Sequence, residues 1–387
     1  MKQIKLKLIG IKIFAFIFLN IFLLSSCVND PNTPNIVDFI AGKNGAMILC
    51  EGNMGDNATI TRIDFETGSH SSNYFSEANS GQKLGSIATD LVIQDSTGFV
   101  AVSATGTIEV FSMKNGKSLG RIKFPIAVMP RKMCFVNDTL AFVTAYIEFS
   151  EQDFFVYKFN PQNLIESQEN LEQNKILAGF YPEGITFANG KLFVVNSGYG
   201  EFFLDAPDAS TITVIDVSTF SVINSVKTGT NPNKIYSKNN KIYVVCWGIA
   251  GQKDQYPSEI IEYDASDLRE LRRWQTEVYD ICFDASGENL YYLNSSLGAY
   301  NTGNNSAGIN VIALNEANAQ PKQIIANTKN FEIWTTLAIN EHRNELWVGN
   351  SFRFTTDGEI MVFDLKNPTV NIRNIKTGLI PNTIRFY

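Results

Sequence analysis

The sequence predicts an all-β protein, a seven-bladed β-propeller with four-stranded blades, and three observations lead to that prediction. Two short patterns alternate along the chain, seven copies of each. The segments between them have the composition of short β-strands separated by tight turns, without a helical period. The two ends of the chain are complementary parts of one repeat. Short strands repeated at such a spacing are typical of propeller blades.

The first pattern is an apolar strand that ends in Asp, Asn or Ser before a turn. Its copies end at Asp64, Ser112, Asn160, Asp216, Asp264, Asn315 and Asp364, in steps of 48, 48, 56, 48, 51 and 49 residues. The second pattern is a strand start that resembles Pro-x-x-Ile. Its copies begin at Ala88, Pro130, Pro182, Pro232, Val278, Trp334 and Pro381.

Strands within one unit follow from the runs between these patterns. Residues 191–195 and 221–226 are β-rich and are separated from their neighbours by turns such as Asn189-Gly190. Residues 192–195 and 242–245 are continuously apolar, which is expected for middle strands covered on both faces by neighbouring blades.

The chain ends indicate how the ring closes. Residues 380–387 form the first strand of a unit whose other strands are missing, and residues 46–50 begin a unit that lacks its first strand. We therefore expect the C-terminal strand to complete the first blade and leave no free edge. A linear solenoid of seven units is the structural alternative, but it would not explain the complementary ends.

The N-terminus has the features of an export signal. Lys2, Lys5, Lys7 and Lys12 precede the apolar run 13–24, and Leu24-Ser-Ser-Cys27 resembles the bacterial lipobox. We predict a lipoprotein signal peptide over residues 1–26, a lipidated tether over 27–45 that begins at Cys27, and the propeller over 46–387. A plain secretory signal or a single membrane anchor is the alternative.

Composition argues against several functions. The formal net charge is −7, so a general basic surface for nucleic acid is not expected. The chain has two histidines, His70 and His342, which disfavours histidine-rich metal sites and histidine-dependent nucleophilic centres. We therefore predict neither a cofactor, a metal nor an enzymatic activity. Whether Cys50, Cys134, Cys246 and Cys282 form a disulfide stays open.

Residues 189–198, 210–216 and 227–235 resemble the repeats of YVTN-type, YncE-like seven-bladed propellers. The opening 49–58 is similar to the start of Bacteroidota surface lipoproteins of this class, with Cys50 in place of the usual Asn. That group includes lipid-anchored cobalamin-binding propellers that sit over outer-membrane corrinoid transporters. The resemblance implies a lipid-anchored outer-membrane location, on the cell surface or the periplasmic face, and a TonB-dependent transporter as partner.

A ligand surface is expected on one face of the ring. In a propeller, the loops before each first strand and those between second and third strands share a face, and here they are long and aromatic. The candidate ligand-binding residues are Tyr181, Tyr199, Phe203, Trp247, Tyr256, Tyr279, Tyr300, Trp334, Phe352 and Arg353, with Asn53, Asn196, Asn294 and Asn350 at the ends of second strands. The alternatives are that the asparagines cap their own turns and that the rings pack between neighbouring loops.

These features predict a lipid-anchored envelope binding protein that captures a broad amphipathic ligand, with membrane contact through the anchor alone. A corrinoid handed to an outer-membrane transporter is the concrete candidate. The alternatives are a protein-protein interaction scaffold and a lactonase-like or metal-dependent propeller enzyme. Loop carboxylates could instead hold calcium, namely Glu51, Asp205, Asp208, Asp254 and Asp357.

Overall fold

A computed structural model describes residues 42–164, 167–294, 308–327 and 332–387. It confirms the predicted fold, because the strands form seven four-stranded antiparallel sheets arranged as a β-propeller. The predicted signal peptide, Cys27, most of the tether and Tyr300 lie outside the described residues. No helix in the described ranges is both long and apolar enough to span a bilayer.

The strands of the first half of the chain are β1 (Gly45–Cys50), β2 (Thr59–Asp64), β3 (His70–Ser71), β4 (Ala88–Gln94), β5 (Thr97–Val102), β6 (Thr107–Ser112), β7 (Ser118–Lys123), β8 (Val128–Asn137), β9 (Leu140–Ile147), β10 (Phe154–Phe159), β11 (Lys175–Leu177), β12 (Pro182–Ala188), β13 (Lys191–Asn196) and β14 (Thr211–Asp216). Two short helices accompany them, α1 (Tyr74–Ala78) and α2 (Gln168–Gln173).

The strands of the second half are β15 (Ser221–Lys227), β16 (Pro232–Lys238), β17 (Lys241–Cys246), β18 (Glu259–Asp264), β19 (Glu270–Gln275), β20 (Asp280–Phe283), β21 (Asn289–Asn294), β22 (Gly308–Ala313), β23 (Lys322–Ala326), β24 (Trp334–Asn340), β25 (Glu345–Asn350), β26 (Asp357–Asp364), β27 (Asn367–Leu379) and β28 (Pro381–Phe386).

Blade 1 has the strand order β28-β1-β2-β3, and blades 2 to 7 each use four consecutive strands from β4 to β27. In blade 1 the C-terminal strand pairs with the N-terminal one, with Ile48 opposite Ile384. The Tyr387 carbonyl also accepts a hydrogen bond from Asn44 N at 2.7 Å. The predicted closure of the ring by the C-terminal strand is therefore confirmed.

The acidic residues that end the third strands shape the turns that follow. Asp64 Oδ1 accepts from Thr67 N at 2.9 Å, and Asp216 Oδ1 accepts from Thr219 N at 2.9 Å. Hydrogen bonds to the carboxylate lower the pKa of both aspartates, chiefly the bond from Thr67 N at Asp64 and the bond from the Ser218 hydroxyl at Asp216. The polar residue that ends the first sequence pattern thus accepts hydrogen bonds that shape the turn between third and fourth strands.

The apolar core lies in layers between blades rather than in one central mass. All six residues of β1 are buried, as are all six of β25. One layer packs Phe193 and Val195 of blade 4 against Ile242 and Val244 of blade 5. Because neighbouring blades cover both faces of each middle strand, the predicted continuous apolar runs are explained.

Candidate functional site

The loops sort onto two faces of the ring. One face, here called the long-loop face, carries the connections into the innermost strands and those between second and third strands. The longest described ones are residues 72–87, 197–210 and 247–258. The opposite face carries mostly tight turns such as residues 189–190 and 239–240, with both short helices as local exceptions. α2 joins β10 to β11, and α1, at the start of the connection 72–87, hydrogen-bonds to the turn 113–117.

Four large apolar side chains on the long-loop face are highly exposed, and we call them the apolar rim. They are Met54 at 73%, Ile126 at 94%, Phe149 at 68% and Phe202 at 68% exposure. The other strongly exposed large apolar side chains of the described residues lie on outermost strands, namely Leu119, Leu177, Val222, Ile223, Val370 and Ile372. Phe149 and Phe202 are linked through the Tyr199 ring, and an exposed apolar patch of this kind is typical of an interaction surface.

A cluster of aromatic rings supports part of this rim. Tyr199 lies between the two exposed phenylalanines, with ring centroids 5.9 Å from Phe149 and 5.6 Å from Phe202. Tyr181 is fully buried beneath, 4.7 Å from Tyr199 and stacked at 5.5 Å on Phe203. The predicted residues Tyr181, Tyr199 and Phe203 are thus brought together, and Tyr181 forms the buried base of the cluster.

Hydrogen bonds hold the cluster in place. Phe149 N donates to the Tyr181 hydroxyl at 2.8 Å, and the Tyr199 hydroxyl donates to Glu148 Oε1 at 2.5 Å. Burial, together with this bond to the carboxylate, raises the pKa of Tyr199 to about 12. Tyr199 is therefore a neutral hydrogen-bond donor at ordinary pH.

A second aromatic pair lies between blades 5 and 6. Trp247 stacks on Tyr279 at 4.7 Å with an interplanar angle of 12°, and its Nε1 donates to the Tyr279 carbonyl at 2.9 Å. Lys234 Nζ lies 5.2 Å from the centre of the Tyr279 ring. The Tyr256 hydroxyl, in the same loop as Trp247, accepts from Gln255 Nε2 at 2.9 Å.

The remaining predicted rings belong to neither group. Trp334 is buried in the apolar layer that includes Leu293 of blade 6 and Leu346 of blade 7. Phe352 is half-buried and Arg353 is exposed in the loop 351–356 of blade 7.

The predicted asparagines mainly organise the protein's own loops. Asn53 Oδ1 accepts from Gly55 N at 2.7 Å, and Asn350 Oδ1 accepts from Phe352 N at 3.0 Å. Asn196 is fully buried and accepts from Gly179 N at 3.1 Å. Asn294 Oδ1 is buried without a partner among the described residues, next to the undescribed segment 295–307.

The central channel is lined by residues from all seven innermost strands and has a volume of about 530 Å³. Its lining residues include acids and bases that were not among the candidate ligand-binding residues. They are Asp90, Lys132, Lys234, Asp280 and Arg385. At the long-loop end, Arg131 and Glu183 lie beside them on β8 and β12.

Ion pairs in this region connect neighbouring blades. Arg131 Nε lies 3.0 Å from Glu183 Oε2, between blades 3 and 4. Lys234 Nζ lies 2.8 Å from Asp280 Oδ2, between blades 5 and 6. Arg385 Nη2 lies 3.7 Å from Asp90 Oδ1, between blades 1 and 2. The charged groups therefore both polarise the channel and join the blades around it.

The backbone is strained where it enters the channel. Five residues that immediately precede innermost strands have a left-handed φ between 54° and 66°: Ile87, Ala127, Tyr181, Asn231 and Ile380. A register shift follows in each of these strands. Left-handed conformations are unfavourable for Ile, so the surrounding packing holds the mouth in a fixed shape.

The sequence contained a signal for these channel residues. Asp90, Lys132, Lys234 and Asp280 all occupy the third position of the Pro-x-x-Ile-like pattern. Residues at the same position of each repeat occupy equivalent places in each blade. These polar side chains therefore lie at the same level of the channel. The exposed Phe149 and Phe202 carried no comparable signal, because exposure of a loop ring depends on its neighbours.

Neither a metal cluster nor a disulfide is found in the described parts of the chain. No group of three or more His, Cys, Asp or Glu side chains there could hold a metal ion. Cys50, Cys134, Cys246 and Cys282 are free thiols. Burial raises the pKa of the Cys50 thiol, so that it is protonated at neutral pH.

Known proteins resemble this chain in fold but not in sequence. No protein-family model matches the chain, and no curated protein matches it in sequence. A Bacteroides fragilis protein provisionally described as a 6-phosphogluconolactonase is similar in structure, with 12% identity, 92% of this chain and 100% of that chain covered, and a TM-score of 0.62.

Two further solved structures are similar. A quinoprotein alcohol dehydrogenase-like protein from Bacteroides thetaiotaomicron has 14% identity, 89% of this chain and 79% of that chain covered, and a TM-score of 0.62. The periplasmic gluconolactonase of Pseudomonas aeruginosa has 13% identity, 89% of this chain and 98% of that chain covered, and a TM-score of 0.59. At such identities the likeness concerns the fold alone.

Proposed function

We propose that this protein is a cell-envelope binding protein that captures an amphipathic ligand across the mouth of its channel. The apolar part of the ligand lies on the apolar rim, and its polar part faces the charged and amide groups of the mouth. The observation that carries the proposal is the pair of exposed rings, Phe149 and Phe202, that Tyr199 links on the face where the polar channel opens.

A corrinoid is the concrete ligand that we propose. Its broad macrocycle offers flat apolar contact, and its periphery carries amides that can exchange hydrogen bonds with polar loop groups. Phe149 and Phe202, supported by Tyr199, supply two rings on a rigid base. Rigid aromatic side chains lose little conformational entropy on binding, which favours capture.

The proposal includes a location and a partner. A lipid on Cys27 would anchor the propeller to the outer membrane, where it would pass the ligand to a TonB-dependent transporter. The support is the lipobox-like sequence before Cys27 and the resemblance of residues 49–58 to surface lipoproteins. Mass analysis of the purified native N-terminus would detect the lipid and the cleavage after Ser26.

The test is calorimetric titration of the full chain, purified in detergent, with cyanocobalamin and cobinamide. We expect saturable binding that Phe149→Ser and Phe202→Ser each weaken about tenfold or more, because a buried ring contributes about 1.5–3 kcal/mol. Variants at Tyr181 or Trp334 are unsuitable, because both side chains are buried and their loss would change stability first.

Leu177→Ser is the matched control. Leu177 is exposed to 60%, close to the 68% of the two rim phenylalanines, but lies on the outermost strand β11. Its replacement should leave binding unchanged. An absence of heat with both corrinoids would refute the corrinoid. A membrane protein recovered by the wild type but lost with Phe149→Ser would instead support a scaffold that docks through the rim.

A further inference from the structure

Among the described residues, one cation at the channel mouth takes part in no ion pair. Asp90, Glu183 and Asp280 each face a cation of a neighbouring blade. Lys132 is also a lining residue, and its ammonium donates to the Thr89 carbonyl. Within the described ranges, no carboxylate forms an ion pair with Lys132. Its charge is therefore balanced less directly than those of Arg131, Lys234 and Arg385, which each have a carboxylate partner.

The surroundings of Lys132 disfavour its charge. Burial lowers the pKa of its ammonium, and the neighbouring Lys234 and Arg131 act in the same direction, against Asp90 and Glu183. A bound anion would relieve this imbalance, since a partly desolvated ammonium gains most from a direct charge-assisted hydrogen bond.

A neutral acceptor nearby, the amide oxygen of Asn382, also lacks a hydrogen-bond donor among the described residues. Asn382 Nδ2 donates to the Ala88 carbonyl at 2.9 Å and to Glu51 Oε2 at 3.2 Å. These contacts orient the amide, and its Oδ1 is then buried without a donor among the described residues. Lys132 and Asn382 reach successive carbonyls, those of Thr89 and Ala88, at the start of β4. They approach this strand from blades on its two sides.

We propose that the channel mouth binds the carboxylate of a small hydroxy acid, with Lys132 Nζ donating to the carboxylate and Asn382 Oδ1 accepting from a hydroxyl group. The channel volume of about 530 Å³ lies within the range of small-molecule sites. Other lining residues offer further hydroxyl and amide groups, namely Asn233, Ser237, Thr336 and Thr383. This inference goes beyond ligand capture on the rim, because it uses no rim side chain.

The test compares three probes of similar size by calorimetric titration of the full chain. D-glycerate carries both a carboxylate and hydroxyls, propionate lacks the hydroxyls, and glycerol lacks the carboxylate. We expect saturable binding of D-glycerate, binding of propionate weakened several-fold, and no binding of glycerol. This order would show that both halves of the site contribute.

Two variants test the contributions of Lys132 and Asn382 to binding separately. Lys132→Met should weaken D-glycerate about tenfold or more, because a hydrogen bond to a charged group is lost. Asn382→Leu should lower the affinity for D-glycerate to that for propionate. Lys238→Met is the control, since Lys238 also lines the channel and donates to the Ala285 carbonyl at 2.9 Å, but lies at the other end of β16.

Three results would overturn the proposal. They are no saturable D-glycerate binding by the wild type, equal binding of glycerol and D-glycerate, or full D-glycerate affinity in Lys132→Met. Thermal unfolding of each variant separates loss of binding from loss of structure. Corrinoid binding is measured in parallel with Phe149→Ser, so that the channel site and the rim are judged independently.

Discussion

Lys132 shows at the scale of one residue how a binding group differs from a stabilising one. Its ammonium is partly buried and is hydrogen-bonded to the Thr89 carbonyl. Arg131, in contrast, has Glu183 as an ion-pair partner at 3.0 Å and lies 5.4 Å from the Tyr146 ring. A polar group that the fold does not satisfy is expected where a ligand completes the site.

We expect Lys132→Met to increase the free energy of unfolding at neutral pH by up to about 1 kcal/mol, although it removes anion binding. Methionine fills a similar volume and removes the desolvation cost of an unpaired ammonium. Urea denaturation of wild type and variant measures the difference. A clearly less stable variant would mean that the Lys132 charge stabilises the fold.

The pH dependence of this difference has a defined sign. The folded-state pKa of Lys132 lies below its ordinary value of 10.5, so the unfolded chain binds more protons between the two values. The stability of the wild type should therefore rise with pH across that window relative to Lys132→Met. The nearby acids Asp90 and Glu183 and bases Arg131 and Lys234 are common to both proteins, so their titration largely cancels.

At the scale of the strand, buried carboxylates attach the outer strands of the blades. Glu262 of β18 is fully buried and accepts from Lys241 Nζ at 2.6 Å and from Arg272 on the outermost strand β19. Glu109 of β6 is likewise buried and accepts from Arg121 on the outermost strand β7. An outermost strand has few apolar contacts, so a buried ion pair fixes it to the blade.

We expect Glu262→Gln to cost about 3 kcal/mol of unfolding free energy, because it leaves Arg272 without its carboxylate. Urea denaturation measures the cost. Glu270→Gln is the control, since Glu270 pairs with Arg273 at 2.7 Å on the surface and should cost less than about 1 kcal/mol. Equal effects of the two substitutions would contradict the attachment role.

The same glutamate contributes to acid sensitivity. Burial opposes its ionisation, but hydrogen bonds from Arg272 and Lys241 dominate and lower the pKa of Glu262 below 4.5. Its stabilisation is therefore complete above the unfolded-state value and is lost as pH falls through the folded-state value. The difference between wild type and Glu262→Gln should shrink below pH 4.5.

At the scale of the whole molecule, the ring is held by one strand that closes blade 1 and by side chains that join the blades. β28 supplies the innermost strand of blade 1, and Arg385 and Asn382 on it also contact blade 2. β1 is buried along its full length beside it. Each blade is stabilised by two neighbours, so the closing strand affects the entire ring.

Deletion of residues 381–387 should abolish the cooperative thermal unfolding transition, because it exposes the edge of β1 and breaks the contacts between blades 1 and 2. Circular dichroism during heating, with light scattering for aggregation, measures this. Tyr387→Phe is the control. It removes the hydroxyl that accepts from Arg62 Nε at 2.9 Å and should cost only about 1 kcal/mol. A truncated chain with an unchanged transition would show that closure is dispensable.

The repeats, the strands and the closure of the ring could be predicted from the order of residues, because turn chemistry and strand periodicity are local and recur every blade. Which loop rings are exposed could not. Tyr181 and Phe149 are both aromatic residues of loops on the same face, yet one is buried and the other is 68% exposed. Packing between loops of adjacent blades decides that difference. The pairing of Arg131, Lys234 and Arg385 with carboxylates, which leaves Lys132 without one, likewise depends on ring closure, because only closure brings seven distant strands around one axis.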